Sequence, residues 1–552
     1  GSSTINADKR VDLTGALEKA GIEYNKEILS AYDSAKFVTR ENNKSSPYEL
    51  AEPSRDSYTD TMLQNAKEFS NTAIIVLSRN GGENIGEIPL IQSLKTEKGT
   101  ETDNSRTYLE TSKYEDELIM MAHENFDNVI VLINSCNTMH LGIVDSDNVN
   151  AALYIGLTGQ SGARAIPDIL WGKANPSGKV SDTYAYDPET AASYANYIKQ
   201  GGHIQYVEDI YFGYKWYETA DAMGMWTAAN GYEKGYEGVV QYPFGHGLSY
   251  TDFEWTIDDI KVDDVSVNKG AAIKEDSKIE FTVTVKNIGE IKGKDVVEIF
   301  GTAPYINGEI EKSSVELVAY CKTNEIEPGA SETIKITVDM YDIASYDCYD
   351  KNNNGHKGYE LDKGEYVFKL SKNCHVVNQV NYKGKVEKGE FNFNLAETKN
   401  IDKDPVTKQT VKNLFTGKDT IDMVPIDDTT DTFDPKIPWL TRSKFSTPSE
   451  LLSLRKNYNR ERNPILKGYD KKSYARWTEW DNQTVDKFGN EVNQTKPTWG
   501  AKGDKMLAKN GIITELGKKL GADFNAPEWE EVLNQVTFQE ALNVMNRYYG
   551  SK

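Results

Sequence analysis

From residue 11 to about 250 the chain alternates between two rhythms. Short apolar runs, "NTAIIVLSRN" (71–80), "NVIVLINSCN" (128–137) and "VNAALYIGLTG" (149–159), each close on polar or glycine residues. Around them, "LTGALEKAGI" (13–22), "KYEDELIMMAHENF" (113–126) and "GARAIPDILWG" (162–172) place apolar residues at helical intervals. Buried strands alternating with amphipathic helices predict an α/β layer with a parallel sheet. From 253 to about 394 the period becomes two. "SKIEFTVTVKNIGEIKGKDVVEIFGTAPY" alternates, turns at Ile288-Gly289-Glu290 and alternates again, and "EPGASETIKITVDM" and "LDKGEYVFKLSKN" repeat the pattern. That spacing predicts an antiparallel β-sandwich.

After about 395 the pattern is irregular but rich in Trp, Phe, Leu and Tyr, which predicts an extended segment wrapping over other surfaces rather than disorder. Short helices are expected near 447–456 and 507–520. A further helical pattern begins at Pro527 in "APEWEEVLNQVTFQEALNVMNRYYG". The expected organisation is an α/β sandwich over 1–252, a β-sandwich over 253–394 and an extended segment over 395–552.

Composition narrows the function. At 552 residues the chain is too long for one ordinary core. A formal charge of −22 argues against binding nucleic acid through phosphates. No apolar run is long enough to span a membrane. The N-terminus "GSSTINADKR" carries no signal peptide, and the compartment stays open. The 32 tyrosines and nine tryptophans suit both β-rich cores and sugar binding, with packing accounting for most of them. Cys136, Cys321, Cys348 and Cys374 are widely spaced, without a CxxC pair. They are not expected to form a disulfide framework, although a Cys321–Cys374 or Cys348–Cys374 bridge stays open.

Four stretches could carry chemistry. In "SRNGGENIGE" a glycine pair and Glu83 follow directly on a strand end, where ligands gather in α/β sheets. From the pattern alone a solvated loop acid is the commoner outcome, and Glu87 competes on the same loop. Gly156, Gly159 and Gly162 lie between a strand and a helix, as in phosphate-cradling loops, but match neither GxGxxG nor the Walker spacing. "DKNNNGHKGYE" (350–360) imitates the opening of a calcium loop through Asp350, Asn352, Asn354 and Gly355. Its twelfth position is Leu361 where a glutamate should stand, which favours a polar hairpin turn. His203 and His246 sit near aromatic-rich loops without a triad or metal spacing, so hydrogen-bonded roles are expected.

Several segments together resemble glycoside hydrolase family 3, the β-glucosidase and exo-glycosidase family. They are "VIVLINSCNTMHLG" (129–142), "GLTGQSGARAIPDILWGKANPSGKVSDTYAYD" (156–187), "IYFGYKWYET" (210–219) and "YPFGHGLSYTDF" (242–253). Downstream, "VTVKNIGEIKGKDVVEIFGTAPY" is similar to the family's fibronectin type III-like domain. The resemblance implies an (α/β) sandwich, then an antiparallel fibronectin type III-like β-sandwich and an irregular C-terminal extension. It implies retaining removal of terminal β-linked sugars from oligosaccharides or aryl glycosides, with no cofactor and no metal.

The family's acid/base loop, S/G-G-E-G, is matched at Gly82-Glu83, with Asn84 in place of the usual Gly. Glu83 is therefore the implied general acid/base, and Arg79 and Gly82 are flanking substrate-binding candidates. The family's nucleophile is an Asp in a Ser-Asp-Trp context on a TIM barrel. Neither that motif nor an eight-fold βα repeat occurs here. "EVLNQVTFQEALNVM" is similar to the lead-in to the barrel in permuted members. The expectation is part of a longer or split enzyme, whose barrel domain or chain supplies the nucleophile. Two other readings stand beside it: a non-catalytic carbohydrate-binding or scaffold protein, and a nucleotide-binding enzyme resting on the 156–162 glycines.

Overall fold

The structure, a computed structural model, describes residues 9–34, 48–81, 88–89, 91–96, 99–196, 208–347, 349–404, 407–410, 440–448, 450, 508–509, 512–513 and 527–529. Asn6–Asn463 form one compact unit, and Pro464–Lys552 with the first five residues form a second.

The first layer is a three-stranded parallel sheet of Thr72–Arg79, Asn128–Ser135 and Ala151–Tyr154, with Asn128–Ser135 in the middle. Alternation sends its side chains to two different helical covers. Leu77, Val129, Val131 and Ile133 pack against Ile119 and Ala122 of the Lys113–Asn125 helix. On the opposite face, Ile74, Ile130 and Leu132 meet Ala16, Ala163 and Ile166. The three apolar runs and three helical stretches read from the pattern are thus the elements that form. A second small sheet, Gln92–Thr96 hairpinned to Gly99–Asp103 and parallel to Glu49–Ala51, has no counterpart in that reading.

Beyond Phe253 two sheets face each other. One runs Ser331–Asp339, Lys278–Asn287, Phe253–Val262, Gln379–Tyr382 and Lys385–Lys388, and the other Ala271–Ile273, Glu390–Leu395, Gly364–Ser371, Val296–Thr302 and Glu316–Lys322. Trp255, Phe281, Phe368, Phe391 and Phe393 fill the space between them. The expected antiparallel pairing needs correction in two places. Gln379–Tyr382 lies parallel to Phe253–Val262, and Ala271–Ile273 parallel to Glu390–Leu395. Both pairs join segments distant in sequence, and a long return can bring a strand back in either direction. The Ile288–Glu290 turn is held from inside. Asn287, fully buried, donates to the carbonyls of Ile291 and Ile326 and accepts from Thr251 Oγ1 and Gly289 N.

Between the layers sits an aromatic core of Tyr211, Trp216, Tyr217, Trp226 and Tyr236. The chain returns to it at 440–448, where Leu440 and Phe445 join the cluster. Phe445 lies 4.8 Å from the Trp216 ring, and the Arg442 guanidinium sits 3.9 Å from the Tyr305 ring centroid. Most of the 395–552 segment expected to wrap over other surfaces lies outside the described residues. The helix expected near 507–520 is corrected where the structure describes it: Ala508–Lys509 and Ile512–Ile513 pair as antiparallel strands. Most of the stretches expected to be helical at 447–456 and from Pro527 onward lie outside the described residues. Cys136, Cys321 and Cys374 are free thiols, so no Cys321–Cys374 bridge forms.

A buried cluster joins the aromatic core to the β-sandwich. Glu218 accepts from Tyr236 Oη, Cys374 Sγ and His375 Nδ1, the last at 3.0 Å. The His375 ring stacks on Tyr236 at 3.7 Å. Burial alone would lower the His375 pKa, but the Glu218 hydrogen bond and the charges of Glu218, Asp221 and Glu237 raise it overall. A folded pKa above the unfolded one gives stability that is present in full below the ordinary histidine value near 6.5 and lost as pH rises through the raised value. The thermal midpoint of His375→Gln should therefore fall less than that of the parent between about pH 6 and pH 9. Parallel slopes in the two proteins would remove His375 from the pH response.

Candidate active site

Glu83, Gly82 and Glu87 lie outside the described residues, so the structure bears on the loop through its two ends. Its upstream end is the carboxyl end of the Thr72–Arg79 strand, level with Ser135 of the neighbouring strand. Ser78 Oγ donates to Asn134 Oδ1, and Asn134 Nδ2 donates to the Gly156 carbonyl. These side chains lace the ends of the three strands together. Asn80 N donates to Tyr108 Oη at 2.7 Å, and Asn137 Nδ2 donates to the Asn80 carbonyl at 3.1 Å. Gly81 then passes so close to the next strand end that a Cβ there would stand 2.4 Å from Asn137 Nδ2 and 2.6 Å from Cys136 Sγ. A side chain at this point would have to displace the Asn137 amide that holds the Asn80 carbonyl.

Arg79 is the post on which this strand end stands. Its Nε donates to the Tyr108 carbonyl at 2.7 Å, and Nη1 donates to the Ser78 carbonyl and to Glu115 Oε1. Nη2 donates to the Glu110 carbonyl and to Glu115 Oε2. A guanidinium has five N–H donors, and all five are used inside the protein. The Arg79 side chain is 0% exposed and that of Glu115 9%. Arg79, expected to flank the site as a substrate ligand, is thus placed as a support.

Glu115 does double duty. It sits one turn into the Lys113–Asn125 helix, where it closes a capping box with Ser112. Burial pushes its carboxyl upward, but the Arg79 charge and the bonds from Arg79 and Ser112 hold it below the usual range. A second carboxyl nearby, the half-buried Glu52, accepts from Tyr32 Oη, and desolvation together with the Glu115 charge pushes its pKa up to about 8. One cation thus faces one ionised carboxylate, and the second carboxyl is held mainly neutral at pH 7. Sequence reasoning missed Glu115, although the S-x-x-E spacing of Ser112 and Glu115 was a readable signal.

The other candidates take ordinary places. Gly156 and Gly159 adopt positive φ, 55° and 61°, as tight turns require, and the Gln160 carbonyl is taken by Val11 N. The helix that follows, Ala165–Leu170, is six residues long and has no side-chain cap, so nothing here favours a phosphate. His246 stacks on Tyr242, and burial and the Lys179 charge lower its pKa. His203 lies outside the described residues. An apolar cavity of about 720 Å³, lined by Leu17, Tyr24, Tyr32, Tyr58, Ile74 and Trp171, follows the amino-terminal half of the Thr72–Arg79 strand. It lies towards the end of that strand away from Arg79.

Comparison with known proteins now identifies the class. Residues 1–250 match the glycosyl hydrolase family 3 C-terminal domain. The chain is 33% identical over 343 residues to β-glucosidase A of Butyrivibrio fibrisolvens, covering 58% of this chain and 38% of that enzyme. It is 30% identical over 375 residues to a β-glucosidase of Ruminococcus albus, covering 66% of this chain and 34% of that enzyme. A solved β-glucosidase from Paenibacillus barengoltzii superposes with a TM-score of 0.55 at 26% identity, over 71% of this chain and 39% of that one. Over residues 1–250 the chain therefore carries a glycoside hydrolase family 3 C-terminal domain. It spans little more than a third of the length of these curated relatives.

Removing one partner of a buried, hydrogen-bonded ion pair costs about 3–5 kcal/mol. Arg79→Ala should therefore lower unfolding stability by that order. Arg79→Lys should recover little of it, since an ammonium cannot make the paired bonds to Glu115. Were Arg79 a substrate ligand instead, denaturation midpoints would stay at the parent value while sugar affinity fell.

Proposed function

We propose that this chain supplies the general acid/base of a retaining, exo-acting β-glycoside hydrolase, with Glu83 as that group. The observation that carries the reading is the carboxyl end of the Thr72–Arg79 strand, which Gly82 and Glu83 follow directly in the sequence. Its Arg79, and Asn80 just beyond it, are pinned by Glu115, Tyr108 and Asn137. The family match over the same region and the β-glucosidases among the relatives support it. The substrate class is a β-linked oligosaccharide or aryl glycoside. The second sandwich acts as a fibronectin type III-like brace, and residues 395–552 lead towards a barrel that carries the nucleophile.

In this mechanism Glu83 first protonates the departing glycosidic oxygen. Attack by a second carboxylate, about 5–5.5 Å from the first, forms the covalent glycosyl-enzyme. Glu83, now ionised, takes a proton from the water that releases the sugar. Gly82 lets the backbone turn towards the sugar, and Arg79 keeps the strand end from moving under it. No metal or organic cofactor enters these steps.

The test combines the chain with a polypeptide supplying the barrel and compares the parent with Glu83→Gln. Cleavage of an unactivated β-oligosaccharide should fall by about 10²–10⁴-fold. Formation of the glycosyl-enzyme from an aryl glucoside with an acidic leaving group should fall far less, because that group departs without a proton. Equal cleavage of the unactivated substrate by both proteins would sink the assignment.

A further inference from the structure

The turn between the Ser345–Asp347 and Gly358–Leu361 strands folds around its own polar side chains. Asp350 Oδ1 accepts from Gly355 N at 3.0 Å, Asn352 Oδ1 from Asn354 N at 3.2 Å, and Asn354 Oδ1 from His356 N at 2.7 Å. Asp350, Asn353 and Gly355 all adopt positive φ, 57°, 56° and 83°, which curls the segment back on itself. These bonds account for the turn as a turn. They do not account for Glu360.

Glu360 stands on the returning strand, 1% exposed, and its carboxylate reaches into the turn. There Oε2 accepts from the amide nitrogens of both Asn352 and Asn354. Its other oxygen, Oε1, is buried and has no hydrogen-bond donor. Among the described residues no ion pair involves Glu360, Asp350 or the nearby Asp347. Burial pushes the Glu360 pKa up, the two amide bonds oppose this, and the charges of Asp362 and Asp347 add to the rise. A buried carboxylate oxygen left without a partner is destabilising unless something positive meets it.

We propose that this turn binds one calcium ion. Its protein ligands are the carboxylates of Asp350 and Glu360 and the side-chain oxygens of Asn352 and Asn354. Main-chain carbonyls and water complete the shell. Among the described residues no three His, Cys, Asp or Glu side chains cluster as a metal site, and here carboxamides stand in for the additional acids. An all-oxygen set on a flexible turn suits calcium, which takes six to eight oxygens in adaptable geometry, better than magnesium, which demands a near-ideal octahedron. Each amide oxygen keeps a second lone pair beside the N–H it already accepts. The two carboxylates match the charge of the ion.

The geometry also explains how a site can form without a glutamate in the twelfth position. In a calcium loop that leads into a helix, the twelfth residue swings back to the ion. Here the loop leads into a strand, where side chains alternate between faces. Leu361 points into the core between the two sheets, so the residue that faces the turn is the eleventh, Glu360.

The test uses the full chain, stripped with a chelator and dialysed. Two carboxylates place the expected dissociation constant on the order of 10⁻⁴–10⁻³ M. Titration with calcium chloride should give saturable heat for one site. The thermal midpoint should rise by about 3 °C at about 10 mM calcium, and by less in magnesium. Asp350→Asn should abolish both responses while leaving the midpoint in chelator unchanged, because Asp350 is only half-buried. Glu360→Gln should abolish them too, with a chelator midpoint at or above that of the parent. Absence of both heat and shift in the parent overturns the proposal, as does a response that survives Asp350→Asn. An equal response to magnesium overturns the assignment to calcium.

Discussion

The ionic contact of Arg79 with Glu115 is the point through which the first layer is held in register. Taking two charges out of water is unfavourable, and only complete hydrogen bonding makes it tolerable. The fold provides that completeness by bringing three segments to one guanidinium: the strand end, the stretch carrying the carbonyls of Tyr108 and Glu110, and the start of the Lys113–Asn125 helix. Because the same carboxylate closes the helix cap, moving the strand end would open the cap, and fraying the helix would strand the arginine. The neutral state of Glu52 belongs to this arrangement, since a second carboxylate charge beside Glu115 would go uncompensated.

Legibility followed burial. The central strand Asn128–Ser135 was readable because a parallel strand covered on both faces is nearly all apolar, and the Lys113–Asn125 helix because only one face is covered. The hairpin of Gln92–Thr96 with Gly99–Asp103 was not. Its sequence, QSLKT and GTETD, has almost no apolar alternation, and it is held partly by Gln92, whose side chain donates to the carbonyls of Thr107 and Glu110. Such long-range polar contacts leave no periodic trace. The strand pair at 508–513 misled for a related reason: two-residue strands are too short to show a period. In the candidate site, the strand end that precedes Gly82 and Glu83 was legible. That Arg79 helps to position this region was readable from proximity alone, but the partners that hold it were not, because they lie 29 to 36 residues away.

The aromatic richness resolves in the same terms. Trp216, fully buried, donates its indole N–H to the Thr190 carbonyl, and Trp226 donates to that of Tyr217. Each ring thus contributes apolar area without leaving its polar edge unpaired. Phe445 closes over Trp216 and Tyr211, and Arg442 N donates to Glu311 Oε2, the same oxygen that accepts from Tyr211 Oη. The late segment is therefore a structural part of the middle layer, tied by hydrogen bonds as well as by ring contact.

These supports bear directly on the proposed chemistry. A retaining hydrolase needs its two carboxylates held about 5–5.5 Å apart through two successive steps. When the carboxylates come from separately folded units, any slack in either frame enters that distance. A misplacement of about 1 Å can cost on the order of a hundredfold in rate. A catalytic group that follows a strand end is placed only as well as the base beneath it. In this chain the base is immobilised by a saturated guanidinium, by Tyr108 on Asn80 and by Asn137 across the glycine contact. The strand end that Gly82 and Glu83 follow in the sequence thereby keeps its place.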